Sequence, residues 1–130
     1  MGNLLAGAAK RDIAPDIELL LAISELEKDR PMGNVYDGIH EHGYVRVIAV
    51  SDGEKTALLV GYDLVKAPLC GVITRRFKEE FGVDPDHTVF AATHNHEHIT
   101  PALDSDDDYN ARESKGPVAE PVREYSQWWG

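Results

Sequence analysis

The stretch that decides the fold is TALLVGYDLVKAPLCGVITRRFKEEFGVDPDHTVFAAT, residues 56–93. Thr56–Tyr62 is nearly all apolar and reads as a central β-strand. Leu69, Val72, Ile73, Phe77 and Phe81 then recur at helical spacing, with Arg75, Arg76, Lys78 and Glu79 on the opposite side. Pro68 suits the first turn of that helix, and Gly82 suits the position just past its end. His87–Thr93 is a second apolar strand. Strand, helix and strand at this spacing form a βαβ unit, whose strands run parallel through a right-handed crossover.

Upstream, Tyr44–Val50 is apolar and β-branched, and Ser51-Asp52-Gly53-Glu54 separates it from Thr56. Asp-Gly readily supplies positive φ, so this is a hairpin signal. The fold class is therefore α/β, a mixed sheet in which a β-hairpin feeds the βαβ unit. Farther upstream, Leu4–Ile13 reads as a strand entering the turn Ala14-Pro15-Asp16. Ile17–Asp29 reads as an amphipathic helix with Asp16 as N-cap and Pro31 beyond its end. Residues 31–43 are rich in turn formers.

Downstream of Pro101 the character changes. Asp104, Asp106, Asp107 and Asp108 form an acidic cluster, and residues 110–124 are polar with Pro117 and Pro121. Residues 104–130 are expected to be an acidic irregular tail. Its end, with Trp128 and Trp129, reads as the first turn of an element that has been cut off.

The chain has 130 residues, 42% hydrophobic and 28% charged, an ordinary globular mix with room for one core. Its net charge of −10 repels phosphate backbones, which argues against a nucleic-acid partner. No run approaches the length of a transmembrane segment. Residues 1–9 lack the pattern of a signal peptide, so a cytoplasmic location is expected. A single cysteine, Cys70, excludes an internal disulfide and reads as a small buried residue on the second helix.

The chemistry concentrates in His94-Asn95-His96-Glu97-His98, just past the second parallel strand. If extended geometry continued there, all three imidazoles would point to one face, roughly 6–7 Å apart along the chain. A His-x-His pair can hold one Zn²⁺, and open α/β sheets place ligands at the carboxyl ends of parallel strands. Asp63 ends the neighbouring strand at the same edge. It could join the site, orient a histidine or cap the strand end. Glu97 and Asp104–Asp108 are further oxygen donors, although a charge run is most simply a solvated surface. His40 and His42 flank Glu41 in the glycine-rich stretch.

Three readings stay open on these residues. The first is part of a larger metal hydrolase. The second is a small self-contained metal-binding module using His94, His96 and His98. The third is an α/β fragment with surface histidines. The metallo-β-lactamase motif, His-x-His-x-Asp-His, is close. Here it is one residue short and carries Glu97 in place of Asp. Amidohydrolase barrels also set His-x-His at a strand end, at the start of a long barrel.

Four segments in order resemble the neutral, non-lysosomal ceramidase family. Ala6–Pro15 resembles its opening Gly-x-x-Lys-x-Asp-Ile-Thr stretch. Gly38-Ile39-His40 leading to Tyr44-Val45-Arg46 resembles its Gly-Ile-His segment before a strand. Gly61-Tyr62-Asp63-Leu64 resembles its Asp-Leu strand end, and Ala91–His96 its Ala-Ala-Thr-His-Thr-His. The family runs from its second histidine through Ser-Gly to Pro, whereas this chain takes two more residues to reach Pro101. The resemblance implies a zinc-dependent hydrolase that cleaves the N-acyl amide bond of ceramide or a related lipid amide. It implies zinc on His94, active-site roles for His96 and His40, and His96 beside the metal. It also implies that residues 1–103 are the N-terminal portion of a catalytic domain. The family's other zinc ligands and its serine lie farther along than residue 130, so the chain alone is expected to be inactive.

Overall fold

In a computed structural model of the chain, residues 3–31, 33 and 35–99 are described. The expected tail at 104–130, with Asp104–Asp108 and both tryptophans, lies outside them. Among the described residues no helix is long and apolar enough to cross a membrane.

The elements are β1 (Leu5–Asp12), α1 (Ile17–Glu27), β2 (Tyr44–Ser51), β3 (Thr56–Tyr62), α2 (Cys70–Phe81) and β4 (Thr88–Ala92). A short 3₁₀ turn, Pro85–His87, precedes β4. The four strands form one sheet in the order β1-β2-β3-β4. β1 and β2 pair antiparallel, as do β2 and β3, while β3 and β4 run parallel. The mixed α/β sheet expected from the sequence is the observed one.

The residues group into two compact units. The first unit contains residues 3–13 and Gly43–His98, and so holds the whole sheet and α2. The β2–β3 hairpin turns at Asp52-Gly53, where Gly53 takes φ 95°. The Asp52 carboxylate accepts the N–H groups of Glu54 at 2.9 Å and Lys55 at 2.8 Å. Those two backbone bonds hold its pKa below the ordinary carboxylate value. In β3, Val60 and Tyr62 are buried, as expected for an interior strand. Leu64, Pro68 and Val83 are buried with them. Burial, and secondarily the nearby Cys70 thiol, pushes the Tyr62 phenol well above its ordinary pKa.

The strand registers place Ile48, Leu59 and Val89 on one face, with Val50 beside Ala57. The four large apolar side chains of that face are all exposed, Val89 by 59%. The sheet therefore presents one apolar surface to solvent.

Helix α2 starts one residue later than the spacing suggests. Leu69 is its N-cap, in left-handed geometry at φ 55°, so Pro68 precedes the helix instead of opening it. Gly82 closes it at φ 69°, donating its N–H to Lys78 O at 3.0 Å, as expected of a C-terminal glycine. Ile73 and Phe77 of the predicted stripe are half-buried, but Val72 and Phe81 are exposed. Cys70 is half-buried and free of any disulfide, and its thiol donates to Ala67 O at 3.5 Å.

The second unit comprises Ala14–His42 and Ile99. α1 begins where Asp16 predicted. The cap is made by the Asp16 backbone carbonyl, which accepts Leu19 N–H at 3.1 Å, and its side chain makes no capping bond. Ile23 is buried against Leu19, Tyr36 and Ile99. Ser24 is buried beside it, donating toward Leu20 O and Tyr36 O at 3.0 Å each and accepting Tyr36 N–H. Glu27 is buried and ion-paired to Arg30. Burial, then the Glu27 charge, raises the Tyr36 phenol above its ordinary pKa.

Candidate metal centre

β4 ends at Ala92, and the backbone departs from extended geometry two residues later. His94 adopts φ 59°, one of two described non-glycine residues in the left-handed region. This corrects the expectation that His94, His96 and His98 continue an extended strand with three imidazoles on one face. Left-handed geometry costs a β-carbon residue roughly 1–2 kcal/mol, so something nearby must hold it.

Three carbonyls of one segment do so. Tyr62 O accepts Thr93 N–H at 2.9 Å, and Leu64 O accepts Asn95 N–H at 3.3 Å. Val65 O accepts the Nδ1–H of His94 at 2.8 Å. A carbonyl oxygen can only accept, so Nδ1 carries the proton and Nε2 of the neutral ring is left as the acceptor, within hydrogen-bond distance of His96 Nε2. The side chain of Asn95 then accepts Glu97 N–H at 2.7 Å, a tight turn that folds the chain back.

That turn sets His96 against His94. Their rings are nearly perpendicular, at 89°, with centroids 4.8 Å apart. Their Nε2 atoms lie 3.3 Å apart. Two nitrogens bound to a tetrahedral Zn²⁺ at about 2.0–2.1 Å sit about 3.3–3.4 Å from each other. The pinned tautomer of His94 and this spacing both fit a shared divalent cation. Both side chains are exposed and accessible to one.

The other sequence candidates are placed elsewhere. The ring of His98 lies against Gly43, where an added Cβ would come within 3.1 Å of it. Asp63 neither faces the histidines nor stands free. Its Oδ2 accepts Tyr44 N–H at 3.0 Å and Arg46 Nη1–H at 2.6 Å. It is a strand-end cap, one of its three expected roles. His40 is exposed in the second unit, whereas His94 and His96 belong to the first. Among the described residues no group of three or more His, Cys, Asp or Glu side chains is placed to hold a metal.

Asn95 and the carbonyls of Leu64 and Val65 are functional parts of the site not anticipated from the sequence. Asn95 carried a usable signal, since Asn two residues before Glu97 is a common Asx-turn start. The carbonyls carried none, because any residue supplies one. No protein-family model matches the chain, and no curated protein matches its sequence.

Proposed function

We propose that the chain carries the first part of a zinc-dependent hydrolytic site, with His94 and His96 as metal ligands. The substrate class is an N-acyl amide, ceramide or a related lipid amide. The observation that carries the metal reading is the pair of Nε2 atoms 3.3 Å apart, one held by a Val65 hydrogen bond in the tautomer a metal requires. The substrate class rests on the four-segment family resemblance alone.

When bound, zinc supplies Lewis-acid polarisation of the amide carbonyl and a water of lowered pKa. The chain's own contribution is positional. Val65 O fixes the His94 ring and its proton, and Asn95 turns His96 toward it. Two imidazoles alone make half of a ligand set, so the remaining ligands and the nucleophile are proposed to come from outside the described residues, and the resemblance implies that the chain by itself is inactive. His40 is proposed as a residue of the substrate pocket, on the resemblance.

The test is zinc titration of the 130-residue chain, by calorimetry and by ring ¹⁵N NMR, beside His94→Ala. The expected result is one-to-one binding weaker than about 10 μM, with the His94 and His96 rings shifting together and the effect lost in the variant. Sub-micromolar binding lost in the variant would favour the self-contained module. No binding, or binding indifferent to His94→Ala, overturns the metal reading.

A further inference from the structure

We propose that Asp63, held by Arg46, is a positioning residue for His94, acting through the backbone of residues 62–65. The metal consequence rests on the zinc reading above, but the positioning itself does not.

Residues 62–65 bond to two neighbours in turn. Toward residues 93–95 they offer the carbonyls of Tyr62, Leu64 and Val65. Toward β2 they offer Asp63. The β2–β3 ladder ends at the pair Val45↔Tyr62, so Tyr44 and Asp63 would be the next pair. An antiparallel hydrogen-bonded pair exchanges two backbone bonds. Here Asp63 N–H donates to Tyr44 O at 3.0 Å, but the return bond from Tyr44 N–H goes to the Asp63 carboxylate. The side chain has replaced a backbone carbonyl in the ladder.

That replacement lets the chain leave β3 at Asp63 without losing its anchor. The turn away from β2 brings Leu64 O and Val65 O to Asn95 and His94. Arg46 Nη1 holds the same Oδ2 at 2.6 Å, and its guanidinium lies 5.1 Å from the Tyr44 ring centroid. The carboxylate is mostly buried, with its side chain 17% exposed, so its two donors are not readily exchanged for water. Without the carboxylate, Tyr44 N–H loses its acceptor and residues 63–65 lose their tie to β2. Val65 O then no longer holds the Nδ1–H of His94, and the ring relaxes to a mixture of tautomers.

The experiment uses the full chain with ¹⁵N-labelled histidine at about pH 8.5, where an ordinary imidazole is neutral. Long-range ¹H–¹⁵N spectra report which ring nitrogen carries the proton. In the parent chain His94 is expected as the Nδ1–H form. Asp63→Ala is expected to abolish that preference and to weaken zinc binding about tenfold or more. Gly82→Ala, which strains the far end of α2, is expected to lower stability and leave His94 unchanged. A folded Asp63→Ala chain with His94 still protonated at Nδ1 overturns the proposal, and so does an equal loss in Gly82→Ala. If Asp63→Ala does not fold, Arg46→Gln is read by the same criterion. The tautomer readout decides Asp63 even if the parent chain takes up no zinc, which would overturn only the metal reading.

Discussion

The imidazole of His98 occupies the space that a side chain on Gly43 would need. Its Cδ2 and Nε2 atoms lie 3.1 Å from where that Cβ would stand, and Gly43 itself is buried. Gly43→Ala is therefore expected to push the His98 ring aside and cost about 1–3 kcal/mol by overpacking. Urea denaturation measures the cost, and the ring NMR signals of His98 report the displacement. The His94 and His96 signals should stay in place, since the atoms nearest a Cβ on Gly43 all belong to His98.

His94 separates backbone from chemistry. Asparagine tolerates the left-handed region, whereas a β-branched residue does not. His94→Asn should keep stability within roughly 0.5 kcal/mol of the parent by urea denaturation. His94→Val should fall lower by about 1–2 kcal/mol. Both should lose zinc binding, so the two measurements divide the residue's two roles.

Ser24 closes a small polar knot inside the second unit. Ser24→Ala removes the acceptor for Tyr36 N–H and the donor shared by Leu20 O and Tyr36 O. A cost of about 1–3 kcal/mol is expected from the buried groups left unpaired. Amide exchange at Tyr36 should accelerate before global unfolding does.

Tyr62 gives the chain an alkaline limit. Burial raises its pKa above 10.0, so the folded state holds the phenolic proton after the unfolded chain has released it. Stability is then unaffected by this group below pH 10. Above that it falls as pH rises, by at most about 1.4 kcal/mol per pH unit, until the folded phenol ionises. Phenolate absorbance should show Tyr62 ionising after an exposed tyrosine, and Tyr62→Phe should flatten the alkaline decline.

The sheet was legible because its signals are local. Asp52-Gly53 marks a hairpin from two residues, and the run Thr56–Tyr62 marks an interior strand by composition alone. The bend at His94 was not legible. Thr93-His94-Asn95 contains nothing that demands positive φ, and the geometry is imposed by carbonyls about thirty residues earlier in the chain. Asp63 was ambiguous for the same reason. Its partner Arg46 is seventeen residues away, and only the β2–β3 register brings the two together. Asp16 shows the converse. Its residue type signalled a helix start correctly, while the bond that type usually makes was left unused.

One bond at the head of the sheet bears on how such a chain could vary. Ile13 N–H donates to Gly43 O at 2.9 Å, so the strands either side of Ala14–His42 are already joined where that segment leaves and returns. Closing a loop depends only logarithmically on its length. Replacing the whole excursion with a turn of about five residues would change the closure term by only about 1.5 kcal/mol, in the favourable direction. Sequence drift, insertion and deletion between Ala14 and His42 are thus nearly neutral for the pairing of β1 with β2. The stitch makes that interval a natural place for grafting, because the register of β1 against β2 is held on either side of it.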